Sequence, residues 1–402
     1  MVIAILALLA LVVGGSVFYL ACTVFTVKFF RAATGRTEQA QADERAAVTC
    51  PPIAILVPVC GLDAGAEANW RSLCEQAYPD YEVLFGVVDL DDSAIPVLEA
   101  IAAQYPRRVK LLTGLTPRGI NQKDSTLTYL LEATTADWIV FVDSDIRVAP
   151  HYLQTVTEPL HNPQVGMVTC AYIGSNPQSL GAAIASLGRA VDFIPSLLIA
   201  RALDGGLKCA VGTTIATRRD ALERYGGLHL NRIGSDYNLG KRAAAAGYIV
   251  ELSPYVLESD TGTEGLHDVY QRELRWARTI RFNRGPQYYT MIFCYGVVFC
   301  LPLVGLTGAA PWAIALSLGA IALRYIQASI AIQSLQAPKL YRWLWALPLR
   351  DLLSFGVWLM GCFGNQVYWR GRRLRIYSDG LIMLAAANSD VPDRELPSQS
   401  SV

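Results

Sequence analysis

Two acidic residues, Asp143 and Asp145 of the segment Asp143-Ser144-Asp145, directly follow an apolar run and are spaced to hold a divalent cation. Carboxylates are common ligands of Mg2+ and Mn2+ in proteins, and such a cation neutralises a diphosphate while a bond to it breaks. The motif therefore predicts Mg2+ or Mn2+ bound by both carboxylates, with Asp143 also contacting a nucleotide-bound donor. Turns after strands favour Asp as well, so an ordinary turn is the alternative interpretation.

A second acidic cluster, Asp89, Asp91 and Asp92, follows another apolar run. In open α/β sheets ligands bind beyond the carboxyl ends of the strands, where a carboxylate can bind a base or a ribose. Asp89 and Asp92 are predicted to contact the nucleotide. Not all three acids can be essential, and at least one is expected to be a solvated turn residue. Lys123, between the two clusters, is predicted to contact phosphate, although an ordinary surface loop would have the same composition.

A carboxylate and an arginine-rich motif further along the chain complete the candidates. Asp236 lies just before a helical-looking stretch, where it is suited to act as a general base or, by position alone, to cap the helix. Arg272, Arg275 and Trp276 form the motif Arg-x-x-Arg-Trp. A guanidinium is suited to stabilise a departing diphosphate. Trp276 would then form one wall of an acceptor pocket. The alternative is a basic stripe that contacts anionic lipid headgroups.

Three short apolar runs must position these side chains. They are Ile53–Val59, Tyr81–Val88 and Trp138–Val142, and helical-looking stretches separate them. This pattern is typical of buried parallel strands in an α/β sheet. Two of the runs end directly in the acidic clusters, so the predicted site lies at the carboxyl-terminal edge of the sheet.

The chain of 402 residues is 52% hydrophobic and only 17% charged, too apolar for an ordinary soluble protein. No charged residue occurs from Val2 to Val27, and this run is long enough to cross a hydrocarbon core of ~30 Å. It predicts an N-terminal transmembrane helix rather than a cleaved signal peptide, because no basic residue precedes it. Lys28 and Arg31 follow closely, which predicts that the next segment faces the cytosol.

Further apolar stretches lie in the C-terminal part, at Tyr289–Leu306, Trp312–Gln333 and Trp343–Gly364. The first two predict a helical hairpin in the membrane. The last contains Arg350 and Asp351, which are costly at bilayer depth unless paired, so it is predicted to be re-entrant or interfacial. Leu180–Leu207 is also apolar but too charged to span. It is predicted to be a core or membrane-surface helix, with a lid or lipid-entry surface as the alternative.

The predicted organisation is an anchor at residues 1–30, a linker at 31–52, a catalytic domain at 53–288, membrane-embedded helices at 289–375 and a partly disordered tail at 376–402. Lys plus Arg equals Asp plus Glu at 34 each, so nothing favours nucleic-acid binding. The nine cysteines show no paired spacing and are predicted to be reduced. The histidines show no metal-ligand spacing, and no feature requires an obligate protein partner.

Many motifs follow one another in an order found in a known family. They are Val57-Pro-Val-Cys-Gly61, Phe85-Gly-Val-Val-Asp-Leu-Asp-Asp92, Gly119-Ile-Asn-Gln-Lys123, Asp143-Ser-Asp-Ile-Arg-Val148, Val168-Thr-Cys170, Ser235-Asp236-Tyr237, Arg272-x-x-Arg275-Trp276, Pro348-Leu-Arg-Asp-Leu352 and Trp369-Arg-Gly-Arg372. The chain resembles the ceramide glucosyltransferases and the related hopanoid-associated glycosyltransferases of bacteria, within a large inverting family with a GT-A (Rossmann-like) fold. The resemblance implies Asp92 at the nucleotide, Asp145 on the metal and Asp236 as the base. It also implies that the Arg-x-x-Arg-Trp motif lies at the leaving group and the acceptor.

The implied activity is transfer of a sugar, expected to be glucose, from a UDP-sugar to a hydroxyl of a membrane lipid, expected to be ceramide. Transfer of N-acetylglucosamine to a hopanoid polyol and glycosylation of diacylglycerol are alternatives. The expected location is a membrane with the catalytic domain in the cytoplasm: the inner membrane of a bacterium or a Golgi-type membrane of a eukaryote. Relatives usually carry a second acid immediately before the base, where this chain has Ser235. The resemblance therefore constrains the identity of the acceptor less than it constrains the type of reaction.

Two other functions share part of this pattern. A processive polysaccharide synthase has the same acids and a Gln-x-x-Arg-Trp motif, but it must thread its polymer through a channel of several helices. Here the expected spans are few and the motif begins with Arg272. A non-enzymatic membrane protein with a nucleotide-binding domain would transfer no sugar at all.

Overall fold

The computed structural model describes residues 1–43, 50–174, 176–259, 262–369 and 371–385. The strands are β1 (Ile53–Val59), β2 (Tyr81–Val87), β3 (Val109–Leu112), β4 (Trp138–Val142), β5 (Ile146–Arg147), β6 (Val165–Gly174), β7 (Thr214–Arg218), β8 (Ile249–Ser259), β9 (Gln366–Trp369), β10 (Arg372–Ile376) and β11 (Ile382–Leu384). The α-helices are α1 (Val2–Asp43), α2 (Ala66–Cys74), α3 (Ile95–Gln104), α4 (Gln122–Glu132), α5 (Tyr152–Thr157), α6 (Leu180–Leu187), α7 (Ile194–Leu203), α8 (Arg219–Arg224), α9 (Ser235–Ala245), α10 (Leu266–Arg284), α11 (Cys300–Leu306), α12 (Pro311–Ser334) and α13 (Leu347–Gly361). A π-helical turn, Gly188–Phe193, joins α6 to α7, and 3-10 helices span Glu158–His161, Gly285–Phe299, Pro338–Ala346 and Ser378–Gly380.

An eight-stranded sheet in the order β3-β2-β1-β4-β7-β6-β8-β5 forms the centre of the protein. β1 pairs in parallel with both β2 and β4, as the three apolar runs predict. The far half is mixed, since β7 runs antiparallel to β4 and β6. The predicted α/β fold of the GT-A (Rossmann-like) type is confirmed, and the antiparallel pairs of its far half are an addition to the parallel strands that the sequence indicated.

Side chains of β1 alternate between two cores because successive residues of a strand point to opposite faces. Ile53, Ile55 and Val57 pack on one face with α2, α3 and α5. Ala54 and Leu56 belong to the other core, which extends through the segment 180–203 into α12 and α13. One face of the eight-stranded sheet is therefore continuous with the apolar C-terminal helices.

Several helical stretches of the described residues are long and apolar enough to cross a membrane. They are Val2–Ala32, Leu180–Leu203, Leu266–Leu306 and Pro311–Ser334. Leu180–Leu207 was predicted to be too charged to span a membrane, but the helical stretch Leu180–Leu203 is long and apolar enough to do so. However, 78% of its apolar window is buried within the protein, which agrees with the predicted core helix. The expectation of several membrane helices is confirmed.

Two segments differ from their sequence interpretation. Helix α1 continues to Asp43, into the predicted linker, whose Ala, Glu and Gln residues are good helix formers. The start of the predicted tail forms β11, which pairs with β10 in a three-stranded sheet with β9. Its isoleucine, Ile382, is buried with Leu374 and Ile376, and this apolar contact orders the segment. The polar end from residue 386 lies outside the described residues.

Candidate functional site

The acidic cluster Asp89, Asp91 and Asp92 follows β2, which ends beside the end of β1. The backbone N–H of Gly61 donates to both oxygens of Asp92, at 3.1 and 2.9 Å, and the N–H of Ala94 donates to Oδ1 at 2.8 Å. Asp92 thus ties the loop after β1 to the start of α3, a structural role in addition to its predicted nucleotide contact. Asp89 and Asp91 are exposed.

Lys123 connects α4 to the end of β4. Asn121 caps α4 by accepting from the N–H of Asp124, and this fixes the first turn of the helix. From that turn the Lys123 ammonium reaches Asp143 Oδ1 at 2.5 Å and donates to the carbonyl of Gly212 at 3.0 Å. Lys123, which is predicted to contact phosphate, is therefore paired with Asp143, which is predicted to bind the metal.

Asp236 lies in the first turn of α9, with Gly234 at the N-cap and no side-chain cap, so the helix-cap interpretation is wrong. A Cβ on Gly212 would lie 2.5 Å from Asp236 Oδ2, so glycine is what lets this carboxylate approach the backbone. Burial raises the pKa of Asp236, the Lys123 ammonium lowers it and the Asp143 carboxylate raises it. Asp236, Lys123 and Asp143 therefore form one electrostatic cluster.

Asp145 has a different set of contacts from this cluster. Its Oδ2 accepts a hydrogen bond from the Ser259 hydroxyl at 3.1 Å. Burial raises the pKa of Asp145, Asp143 raises it further and the Arg189 guanidinium lowers it. Asp145 lines a cavity of about 250 Å3 together with Asp63, Ala64, Arg189, Ser259, Gly262, Thr263, Glu264 and Arg272.

Helix α10 brings the Arg-x-x-Arg-Trp motif to the site. Arg272 forms an ion pair with Glu264, lies 5.3 Å from the ring centroid of Trp276, and lines the cavity with Asp145. Arg275 lies 5.6 Å from the ring centroid of Trp369 and is not among the cavity-lining residues. Arg272 is thus the motif arginine on the cavity.

The two arginines that follow the motif have structural contacts. Arg278 donates to the carbonyls of Phe363 and Gln366, and Arg281 donates to the carbonyl of Gly364. These bonds hold the segment between α13 and β9 against α10. The headgroup-binding interpretation is not needed to account for Arg278 and Arg281.

Three residues near the site were not singled out from the sequence. Asp124 accepts from the Ser235 hydroxyl at 3.1 Å and lines a small cavity with Lys123 and Asp236. Arg189 lines the larger cavity from the π-helical turn. Glu273, next to Arg272, forms an ion pair with Arg350. The only sequence signal for them was adjacency to named residues or a charge inside an apolar stretch.

Residues 9–382, a range that includes the sheet, both cavities and the C-terminal helices, match glycosyl transferase family 21. The chain belongs to this family. The match confirms the family resemblance, and it identifies glycosyl transfer as the class of reaction that the described site serves.

This family 21 chain is similar to several named proteins at low identity. It is 22% identical over 232 residues to ceramide glucosyltransferase 3 of Caenorhabditis elegans, covering 57% of this chain and 50% of that protein. It is 20% identical over 370 residues to ceramide glucosyltransferase 1 of the same organism, covering 88% and 78%. It is 23% identical over 243 residues to an N-acetylglucosaminyltransferase of Rhizobium meliloti (strain 1021), covering 57% and 55%. For the first of these relatives the match spans half of its length.

A solved structure also resembles this chain. It is a mannosyltransferase from Pyrobaculum calidifontis in complex with GDP-Man and Mn2+, with a TM-score of 0.48 and 17% sequence identity. The alignment covers 86% of this chain and 99% of the mannosyltransferase.

Asp143 and Asp145 are the acids of this family 21 transferase that are predicted to bind a divalent cation. The described residues contain no group of three or more His, Cys, Asp or Glu side chains that could hold a metal. Mg2+, however, is usually bound through one or two carboxylates together with substrate phosphates. Asp143 and Asp145 repel one another, and a bound cation would relieve that repulsion. The donor set therefore fits a cation held jointly with a diphosphate.

Proposed function

We propose that this glycosyltransferase moves a sugar from a UDP-sugar to a hydroxyl of a membrane lipid with inversion, with glucose and ceramide as the expected pair. One observation carries the proposal: Asp145 and Arg272, far apart in the chain, line the same cavity. A carboxylate for a metal and a guanidinium for a phosphate on one cavity are what a diphosphate donor needs. The named activities of the nematode relatives support glucose and ceramide. The bacterial relative supports N-acetylglucosamine as the alternative sugar.

In the proposed reaction Asp236 removes the proton of the acceptor hydroxyl. The acceptor oxygen forms a bond to the anomeric carbon while the bond from that carbon to the UDP phosphate oxygen breaks, so an α-linked donor gives a β-glycoside. The raised pKa of Asp236 makes it a stronger base than an ordinary Asp carboxylate. Arg272 neutralises the negative charge that develops on the departing UDP.

Asp145 and Asp143 are the residues that would hold a divalent cation. When bound, the cation supplies further neutralisation of the diphosphate. Lys123 already partners Asp143, so Asp145 is the acid with more capacity left for a metal. Asp89 and Asp92 remain the proposed nucleotide contacts, and Trp276 remains the proposed wall of the acceptor pocket.

The C-terminal helices support a lipid as the acceptor. α10 carries Arg272 and runs into the apolar stretch that ends at Leu306, so the cavity and a candidate membrane span share one helical segment. A lipid whose chains stay in the bilayer could thus present its hydroxyl at the site. We propose that the site faces the cytoplasm, on the basis of the basic residues that follow the first apolar run.

The base assignment is tested with Asp236→Asn in the purified full chain. We expect glycosyl transfer to fall by about 100-fold or more while UDP-glucose still binds, because the amide cannot accept the proton. Transfer of labelled glucose to ceramide and equilibrium binding of UDP-glucose are the measurements. Asp137→Asn, an exposed acid before β4, is the matched control. Full activity of Asp236→Asn would contradict the assignment.

The donor and acceptor are tested in the same assay. Labelled UDP-glucose and UDP-N-acetylglucosamine are each incubated with ceramide, a hopanoid polyol or diacylglycerol, and the lipids are extracted. Label in a single glycolipid supports the proposal and identifies the pair. Label in a polymer would favour a polysaccharide synthase, and no transfer with any pair would contradict lipid glycosylation by these donors.

A further inference from the structure

Arg189 has buried hydrogen-bond donors that no described residue uses. The residue is only 7% exposed. Its Nε and Nη1 atoms have no hydrogen-bond partner among the described residues. A buried guanidinium with unmade hydrogen bonds is costly, and a bound ligand is a common reason for a native protein to retain one.

These donors belong to the cavity that Asp145 and Arg272 also line. Arg272 contributes two more buried nitrogens, Nε and Nη2, that have no partner in the part of the chain that the structure describes, since its ion pair with Glu264 uses Nη1. Two guanidinium groups from different helices thus line one cavity with donors to spare. Planar guanidinium forks match the oxygens of phosphate groups, so the cavity is suited to a phosphorylated anion.

The fold holds Arg189 firmly in this position. Its guanidinium carbon lies 5.0 Å from the ring centroid of Tyr172. Three residues further along the same π-helical turn, Asp192 binds Arg324 at 2.6 Å and Arg350 at 3.0 Å. A Cβ on Gly188 would lie 2.2 Å from the guanidinium carbon of Arg350, so only glycine leaves room for that contact.

The π-helical turn therefore has two sides with different tasks. Asp192 anchors it to the buried charges of the C-terminal helices, while Arg189 lines the cavity. π-helical turns inside α-helices are frequent at functional sites, because the extra residue per turn redirects side chains.

We propose that Arg189 is a second phosphate-binding arginine, which binds the diphosphate of the donor together with Arg272 of α10. This inference rests on the proposed function for the identity of the donor. Because negative charge grows on the leaving diphosphate as the glycosidic bond breaks, the contact strengthens during the reaction and lowers the barrier. An anionic lipid headgroup offers the same phosphate chemistry, and the experiment distinguishes the two sources.

The test compares Arg189→Gln and Arg189→Lys with the wild-type full chain in detergent, using UDP and uridine as ligands with Mg2+ present. We expect Arg189→Gln to weaken UDP binding by about 10- to 100-fold and Arg189→Lys to weaken it less, since lysine keeps the charge but not the fork. Uridine has no phosphate, so its affinity should be unchanged. Arg201→Gln, on α7 of the same helical segment and away from the cavity, should bind UDP like the wild type.

Nanodiscs with and without phosphatidylglycerol provide the second arm. If Arg189→Gln loses affinity for phosphatidylglycerol but binds UDP normally, the headgroup is the ligand and the donor contact is overturned. Normal affinity for both ligands overturns the proposal entirely. An equal loss of uridine and UDP affinity also overturns it, because it indicates general damage. UDP binding that depends on Arg189 without sugar transfer by the wild type would leave the phosphate contact intact and contradict the proposed function instead.

Discussion

Asp124 lines the same small cavity as Asp236, and its surroundings change its pKa strongly. Burial raises its pKa from 3.8 to about 7, although Lys123 and the Ser235 hydroxyl both lower it. Asp124 and Lys123 are adjacent on α4, and Ser235 and Asp236 are adjacent on α9. The bond from Ser235 to Asp124 thus holds the start of α9 against the start of α4, which positions the proposed base beside Lys123.

The pKa of Asp124 predicts a pH dependence of stability. The folded protein keeps the Asp124 proton between about pH 4 and pH 7, where the unfolded chain has lost it, so this residue's contribution to stability falls as the pH rises through that window. We expect Asp124→Asn to lose less stability than the wild type between about pH 4.5 and about pH 7, within that window. Unfolding in detergent followed by tryptophan fluorescence is the measurement, with Asp137→Asn as control. Parallel pH profiles for Asp124→Asn and the wild type would contradict the prediction.

At the scale of elements, buried charges tie the catalytic helix to the C-terminal helices. Glu273 of α10 binds Arg350 of α13 at 2.5 Å, and Arg350 also binds Asp192 of the π-helical turn. Asp351 of α13 and Asp192 each bind Arg324 of α12 at 2.6 Å. Arg350 and Asp351 are therefore both paired, with partners from three other helical segments. This network determines where α10 presents Arg272.

Breaking the network at Glu273 should both destabilise the protein and disturb the site. We expect Glu273→Gln to lower the free energy of unfolding by about 3–5 kcal/mol, because it leaves Arg350 without one of its partners in a buried position. The KM for the UDP-sugar should rise as well. Arg272 is adjacent to Glu273 on α10, so a shift of the helix at Glu273 would also displace Arg272. Denaturant unfolding in detergent and steady-state kinetics are the measurements.

The matched control is Glu132→Gln, which removes an exposed partner of Arg118 and should lower the free energy of unfolding far less than Glu273→Gln does, because water screens exposed ion pairs. In a double-mutant cycle, Glu273→Gln and Arg350→Gln together should cost less than the sum of the single changes. Strict additivity would indicate that the two residues do not act as a pair.

At the scale of the whole molecule, the apolar helices and the sheet form one packed body. α1 packs on α7, α12 and the segment Gly285–Phe299, so the N-terminal helix contacts both the catalytic domain and the C-terminal helices. The cavity is thereby held against the candidate membrane helices rather than carried on a free tether. This arrangement suits an acceptor that remains in the membrane.

The predicted orientation can be tested with Cys60, an exposed cysteine that follows β1 on the catalytic domain. In a Cys50→Ser background, a membrane-impermeant maleimide should label Cys60 in inverted vesicles and leave it unlabelled in right-side-out vesicles, because the basic residues after the first span favour the cytosol. The same background with Cys60→Ser is the control for reaction at other cysteines. Labelling of Cys60 in intact right-side-out vesicles would contradict a cytoplasmic site.

The sequence by itself determined the elements whose signal is local. The buried strands at Ile53, Tyr81 and Trp138 were predicted almost to the residue, because short apolar runs separated by helical-looking stretches are typical of buried strands in an α/β protein. The ordered motifs identified the family, which the match over residues 9–382 confirms. The roles of Asp145 and Asp236 remain predictions that the geometry supports.

Only the tertiary structure decided which of these residues face one another. Sequence spacing could not show that Arg272 lines the cavity while Arg278 binds loop carbonyls, since the two lie on one helix. Nor could it show that Arg189 is buried with two nitrogens that no described residue hydrogen-bonds, or that Glu273 pairs with Arg350. Each of these facts depends on contacts between segments distant in the chain, and long-range packing sets such contacts. The tail strand Ile382–Leu384 was missed for the same reason, because its order comes from the sheet it joins.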